Sequence, residues 1–110
     1  MLTSSAEIDR RRQVARVQAD LRVVVALRDG EKRSATVMDL STGGMHLRAD
    51  RAPEYGEAIT VVVQLYESGD WHLIPATVRW FSRRGFGVAF EGLDRRQAIA
   101  LSAFVDQSAV

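Results

Sequence analysis

The chain of 110 residues is long enough for one domain and too short for two, and its 46% apolar residues suffice for a single core. The formal net charge is only +1, so no whole-molecule field favours general binding to nucleic acid or to a membrane surface. The lack of cysteine excludes disulfides, thiolate catalysis and cysteine-ligated metals.

The first dozen or so residues carry no periodic apolar pattern, and their mixed charges predict a flexible, solvated arm over residues 1–18. The start of the chain lacks a basic region followed by an apolar stretch. No apolar run approaches the ~18 residues of a membrane span. We therefore expect a cytoplasmic domain without membrane insertion, folded over residues 19–110.

Alternation of apolar and polar residues begins at Asp20, and the apolar residues of 21–27 predict a first, half-buried strand. Asp29 and Gly30 then predict a two-residue hairpin turn, because this dipeptide favours positive φ. A second strand is predicted over residues 34–40.

Further strands are predicted from the same alternation over residues 45–49, 59–65, 72–81 and 86–90. Pro75 cannot donate a ladder hydrogen bond and therefore predicts an edge or a bulge in the fifth strand.

The C-terminal segment has the pattern of a capped helix, with Leu93 before an N-cap Asp94 and a reciprocal Gln97. This helix would bury Ala98, Leu101 and either Phe104 or Val105. Six short strands and one helix favour an all-β fold, a six-stranded antiparallel barrel with a C-terminal α-helix and a flexible N-terminal arm, because closure removes exposed sheet edges.

Four arginines cluster in the arm at positions 10, 11, 12 and 16. Their forked guanidinium groups suit phosphate oxygens and the O6/N7 edge of guanine. An extended arm would place Arg12 and Arg16 ~13 Å apart, whereas a helical arm would stack them ~6 Å apart. The sequence leaves both geometries open, and a basic tail that only aids solubility remains the alternative.

A second motif, Asp39-Leu-Ser-Thr-Gly-Gly44, ends the second predicted strand. The two oxygens of Asp39 match the N1–H and exocyclic amine of guanine, and Ser41 can bond a base or a phosphate. Gly43 and Gly44 permit close backbone approach or positive φ. The alternative is a local turn made by Asp39 and Ser41, with a bulge at the glycines.

The order R-x-x-x-R then D-x-S-x-x-G, on a small chain with alternating strands, resembles the PilZ family of bacterial cyclic di-GMP receptors over roughly residues 10–106. The resemblance implies a PilZ-like split barrel. It also implies that cyclic di-GMP contacts the residues that match the motifs, namely Arg12, Arg16, Asp39, Ser41 and Gly44. An arginine at position 11 tends to accompany a stacked, intercalated pair of ligands in this family, which implies two molecules per chain.

The expected function is that of a receptor whose ligand orders the arm on the barrel and thereby changes contacts with an unidentified downstream protein. The resemblance associates it with motility and exopolysaccharide production. We expect no enzyme and no cofactor, because Ser41 lacks a histidine base and neither His46 nor His72 has metal-ligand spacing. Both histidines are expected on strand surfaces, and Trp71 and Trp80 in the core or at strand ends.

Two alternatives stay open. One is a PilZ-like protein-interaction module that does not bind nucleotide. The other is a small RNA-binding barrel that uses residues 10–16 and the tryptophans, although the near-neutral charge argues against nucleic acid as a partner.

Overall fold

Six strands and one helix follow one another in a computed structural model that describes residues 16–67 and 69–108. The elements are β1 (Val17–Leu27), β2 (Lys32–Leu40), β3 (Gly44–Arg48), β4 (Ala58–Gln64), β5 (Trp71–Ser82), β6 (Gly85–Phe90) and α1 (Arg95–Ser108). The predicted six-stranded antiparallel barrel with a C-terminal helix is confirmed. Of the arm predicted over residues 1–18, residues 1–15 lie outside the described residues.

The strands close into a barrel in the order β1-β2-β3-β6-β5-β4, and every neighbouring pair is antiparallel. Alternate residues of each strand point inward, which is the period-two pattern that the sequence carries. The fully buried side chains include Val37, Leu40, Met45, Leu47 and Ile74. Each large apolar side chain buried in this way contributes ~1.5–3 kcal/mol to folding.

Strand β1 begins at Val17, three residues before the alternation predicted to start at Asp20. Val17 is buried and pairs with Leu40, and Gln18 pairs with Asp39. A bulge follows between Gln18 and Leu21. The small Ala19 weakens the apolar pattern at this point, so the sequence did not indicate that the strand reaches the end of β2.

The hairpin between β1 and β2 has a three-residue loop rather than the predicted two-residue turn. The Gly30 amide donates to the Leu27 carbonyl at 3.0 Å, and the Leu27 amide donates to the Glu31 carbonyl at 2.8 Å. Gly30 has a φ of 93°, whereas no non-glycine residue among the described ones has positive φ. This is the geometry of a turn followed by one glycine in the left-handed region, which needs a glycine at one position only.

Pro75 lies on β5, which is an interior strand of the closed barrel, and the bulge of β5 falls between Val78 and Trp80. The predicted edge or bulge at Pro75 is therefore wrong. Strand β6 ends at Phe90 opposite Ala76, and the Pro75 carbonyl still accepts a hydrogen bond from the Glu91 amide at 2.8 Å. Because the ladder between β5 and β6 ends there, little is lost when Pro75 has no amide proton to donate.

Helix α1 begins with the predicted reciprocal cap. The Gln97 amide donates to Asp94 Oδ1 at 2.7 Å, and the Asp94 amide donates to Gln97 Oε1 at 3.2 Å. Leu101 and Val105 are buried against the barrel core, as predicted, whereas Ala98 is only half-buried. None of the described helices is long and apolar enough to cross a membrane.

Candidate functional site

The D-x-S-x-x-G motif forms the turn between β2 and β3. The Ser41 amide donates to the Gly44 carbonyl at 2.9 Å, and the Gly43 amide donates to Ser41 Oγ at 3.2 Å. The Ser41 side chain is buried. In this structure the hydroxyl therefore stabilises the turn, as the local-turn alternative expected, and its contact with a ligand stays a prediction.

The two glycines of the turn differ in their surroundings. A Cβ added to Gly44 would collide with the carbonyl oxygen of Val88 on β6, whereas one added to Gly43 would meet nothing closer than Ser41 Oγ at 3.9 Å. Neither glycine has positive φ. Gly44 is thus required by the close approach of β3 and β6, which is a structural role, and ligand contact by either glycine stays a prediction.

Arg16, which immediately precedes β1, contacts Asp39, which lies at the end of β2 just before this turn. Arg16 Nε donates to Asp39 Oδ1 at 2.5 Å, across 23 positions of the sequence. The pairing of Gln18 with Asp39 explains the contact, because it brings the residue at the start of β1 beside the end of β2. The Arg16 side chain is 38% exposed and the Asp39 side chain is 29% exposed, so both are accessible to a ligand. A partly exposed pair of this kind contributes ~0–1 kcal/mol to stability.

His46 completes the surroundings of Asp39, and sequence reasoning missed it. The two residues pair across β2 and β3, with His46 Nδ1 3.5 Å from Asp39 Oδ2. On its other side, His46 Nε2 lies 2.8 Å from Ser82 Oγ. The sequence did carry a signal for this contact, which is the short turn between the two strands. A turn that pairs Leu40 with Met45 also pairs Asp39 with His46.

Trp80 packs beside His46 on the outside of the barrel, with ring centroids 4.9 Å apart. Its indole covers Gly87, where any Cβ would collide with the ring. Trp80 is 42% exposed and Trp71 is 58% exposed, so packing in the core is wrong for both. Trp71 does lie at a strand end, at the first position of β5.

A groove of about 540 Å³ lies beside the motif rather than at it, on the outer face of β1, β2 and β3. Its lining includes Arg22, Thr36, Arg48 and Trp71. Of the predicted ligand-binding residues, the five that the structure describes do not line it, namely Arg16, Asp39, Ser41, Gly43 and Gly44. The described motif residues instead surround Asp39 at an open surface, and ligand binding there stays a prediction.

A second arginine–carboxylate pair, Arg33 with Glu31, is purely structural and can be compared with the pair of Arg16 and Asp39. Arg33, at the other end of β2, donates through Nε and Nη2 to the two oxygens of Glu31 at 3.1 Å each, and its Nη1 donates to the Arg51 carbonyl at 3.2 Å. Hydrogen bonding to Arg33 lowers the pKa of Glu31. Counting the described residues alone, Arg33 uses all three guanidinium nitrogens, whereas Arg16 uses one.

Arg11 and Arg12, the other two predicted ligand-binding arginines, lie outside the described residues, and so does Arg10. Arg83 and Arg84 form the exposed turn between β5 and β6. No group of three or more histidine, aspartate or glutamate side chains that could hold a metal ion occurs within residues 16–67 and 69–108. The site thus brings together one arginine, one carboxylate, a hydroxyl-stabilised turn and one histidine.

Three solved structures resemble the fold. The PilZ domain of YcgR from Escherichia coli, solved with c-di-GMP, gives a TM-score of 0.76 at 17% identity and covers 90% of this chain and 92% of that one. The PilZ domain of CeSA from a cellulose-synthesizing bacterium gives 0.68 at 18% identity, over 87% and 99%. The inhibitor of motility MotI/DgrA from Bacillus subtilis gives 0.70 at 20% identity, over 87% and 50%.

No curated protein matches the sequence. The likeness to the solved structures, at 17–20% identity, establishes the fold. A family model for the PilZ domain matches residues 9–107, which include both motifs, all six strands and all but the last residue of helix α1. The chain belongs to the PilZ domain family.

Proposed function

We propose that this domain is a receptor for cyclic di-GMP, which binds at the open surface around Asp39. The observation that carries the proposal is the convergence of Arg16 and Asp39, one from each motif, at 2.5 Å. A guanidinium and a carboxylate present the donors and acceptors that complement the two hydrogen-bonding edges of guanine. The c-di-GMP in the structure of the YcgR PilZ domain supports the same ligand class.

Binding exchanges one set of contacts for another. The N1–H and exocyclic amine of a guanine donate to the Asp39 carboxylate in place of Arg16. The released Arg16 guanidinium then donates to the O6/N7 edge of guanine or to a phosphate. Because the contact between Arg16 and Asp39 is given up, it offsets part of the gain from these new contacts, and additional donors that the ligand meets raise the net gain.

Those additional donors come from the arm. Arg12 supplies a second guanidinium for phosphate or base, and Arg11 stacks on a guanine plane, which would admit a second, intercalated molecule of cyclic di-GMP. Ser41 and Gly44 contribute through the turn, where the backbone allows close approach of the ligand.

The output of binding is a change of surface. Ordering a segment on a ligand costs ~2–5 kcal/mol of the gross interaction energy, which the charge-assisted contacts offset. The ordered arm and the bound nucleotide together form a surface that a downstream protein can recognise. The proposed role is thus that of a cytoplasmic, non-enzymatic effector in second-messenger signalling, with motility and exopolysaccharide production as the processes to examine.

One observation favours the second candidate, a PilZ-like interaction module that binds no nucleotide. Both oxygens of Asp39 already face a partner within the protein, Oδ1 facing Arg16 and Oδ2 facing His46. In such a module these contacts would be permanent and would only fix the end of β2.

Isothermal titration calorimetry with cyclic di-GMP tests the proposal, with cyclic di-AMP as the matched control ligand. We expect saturable binding of cyclic di-GMP, a stoichiometry of one or two per chain, and a clear preference over cyclic di-AMP. Absence of binding to either dinucleotide would favour the interaction module. Binding of RNA that weakens steeply with salt, without binding of cyclic di-GMP, would favour the RNA-binding barrel.

A further inference from the structure

The side chain of His46 is only 13% exposed and has three neighbouring side chains around its ring. Its Nε2 lies 2.8 Å from Ser82 Oγ, its ring lies 4.9 Å from that of Trp80, and its Nδ1 lies 3.5 Å from Asp39 Oδ2. A ring that is hydrogen-bonded through Nε2 and packed on one face has little freedom to rotate. The side chain that faces Asp39 is therefore a rigid support.

The hydrogen bonds of Ser82 are linked to which nitrogen of His46 carries the proton. The Gly85 amide can only donate, and it donates to Ser82 Oγ at 3.2 Å. The Ser82 hydroxyl can donate to His46 Nε2 at 2.8 Å, so that Nε2 accepts, or to the Gly85 carbonyl at 3.4 Å, in which case Nε2–H donates to Ser82 Oγ. When Nε2 accepts, a neutral imidazole carries its proton on Nδ1.

That proton points at Asp39 Oδ2. At 3.5 Å the contact is longer than an ordinary hydrogen bond, while Arg16 holds the other oxygen at 2.5 Å. Release of Arg16 would allow the carboxylate to turn and shorten its contact with His46. Among the described residues, His46 is then the one side chain that still restrains the carboxylate.

We propose that His46 is a positioning residue for guanine recognition, and this inference rests on the proposed function. Through Nδ1–H it fixes the plane of the Asp39 carboxylate, so that the N1–H and amine of guanine meet correctly oriented oxygens. Ser82 acts through His46 by selecting its tautomer. The determinants of base specificity thus extend from the D-x-S-x-x-G turn on β2 to the β5–β6 hairpin.

The test compares four variants by calorimetry with cyclic di-GMP and, by competition, with cyclic di-AMP. His46→Ala should weaken cyclic di-GMP by about tenfold, the equivalent of one hydrogen bond to a charged group. Because adenine lacks the donor pair that Asp39 reads, cyclic di-AMP should change by less than about twofold. His46→Gln, which keeps a side-chain donor, should recover most of the affinity.

Ser82→Ala should reduce the preference for cyclic di-GMP over cyclic di-AMP, as His46→Ala should. Ser82 would act on Asp39 only through its contact with His46. His72→Ala is the matched control, because His72 pairs with Val63 of β4 and lies at the opposite end of β5 from Ser82. It should bind as the unsubstituted protein does. Melting curves of all four variants identify any that fail to fold.

Nitrogen NMR of the unliganded, unsubstituted protein supplies a readout that does not depend on any variant. The neutral His46 ring should be protonated at Nδ1, and Ser82→Ala should move population towards the Nε2 form. An Nε2-protonated ring in the unsubstituted protein would overturn the inference.

The binding outcomes separate the two proposals. Normal binding of cyclic di-GMP together with an unchanged base preference in His46→Ala would overturn the positioning role and leave the receptor function standing. No binding by the unsubstituted protein would overturn both.

Discussion

At the scale of single residues, Asp39 is the centre of the site, because each of its oxygens faces a different partner. The sequence predicted, from the spacing of two motifs, that Asp39 and Arg16 contact the ligand, and that contact stays a prediction. It did not predict that they pair with each other, since that contact depends on β1 reaching back to Val17. It also missed His46, because histidine seven positions from an aspartate has no recognised local spacing, and only the strand register brings the two together.

Replacing Arg16 tests the arginine's part in binding. Arg16→Ala should weaken cyclic di-GMP by ~1–3 kcal/mol, about five- to 150-fold, because one bidentate contact is lost. The melting temperature should hardly change, since the pair with Asp39 is partly exposed. Arg12→Ala is expected to behave likewise. Arg28→Ala, an exposed arginine in the β1–β2 loop, is the control, and affinity in Arg16→Ala equal to that of Arg28→Ala would argue against a clamp.

Replacing Asp39 tests base recognition separately from charge. Asp39→Ala should weaken cyclic di-GMP more than cyclic di-AMP, because only guanine presents the N1–H and amine donors together. Asp39→Asn, which exchanges one acceptor for a donor at nearly constant shape, should show the same preference change. Competition binding with both dinucleotides measures the ratio, and an equal loss for both ligands would remove the proposed role.

At the scale of elements, the turn between β2 and β3 is built by its own sequence, with Ser41 stabilising it and Gly44 allowing β6 to approach. Motif reasoning correctly identified a turn here but could not separate the roles of the glycines, because the carbonyl that excludes a side chain at Gly44 belongs to Val88, far along the chain. The place of Pro75 in an interior strand was unpredictable for the same reason. The strand accommodates this proline because the distant strand β6 ends beside it.

The two glycines make a matched pair for a stability measurement. Gly44→Ala should destabilise the domain by more than ~2 kcal/mol, since the new Cβ would collide with the Val88 backbone. Gly43→Ala should change the free energy of unfolding by no more than ~1 kcal/mol, because its φ suits alanine and the space beside it is open. Urea unfolding of both variants measures the difference, and similar values would contradict the close approach of β3 and β6.

At the scale of the whole molecule, the barrel and its helix were predictable because their signals are periodic and redundant along the chain. Every strand carries inward apolar residues at period two, and helix α1 carries its own cap. The pairing order β1-β2-β3-β6-β5-β4 carries no such local signal, since the paired residues of β3 and β6 are 39 to 45 positions apart. The fold was therefore easier to predict than the set of residues around the site.

The helix should act as part of the core rather than as an appendage. Leu101 is fully buried, so Leu101→Ala should cost ~2–5 kcal/mol through lost burial and a residual cavity. Ile99, on the same helix, is 60% exposed, and Ile99→Ala should change stability by less than ~0.5 kcal/mol. Thermal unfolding distinguishes the two. Equal melting temperatures would indicate that α1 does not contribute to the barrel core.

The most direct test of the central claim is a crystal structure of the domain with cyclic di-GMP. We expect a guanine whose N1–H and amine donate to the Asp39 carboxylate, with Arg16 moved from Oδ1 to the guanine edge or a phosphate. A nucleotide bound elsewhere, with the contact between Arg16 and Asp39 intact, would contradict the account.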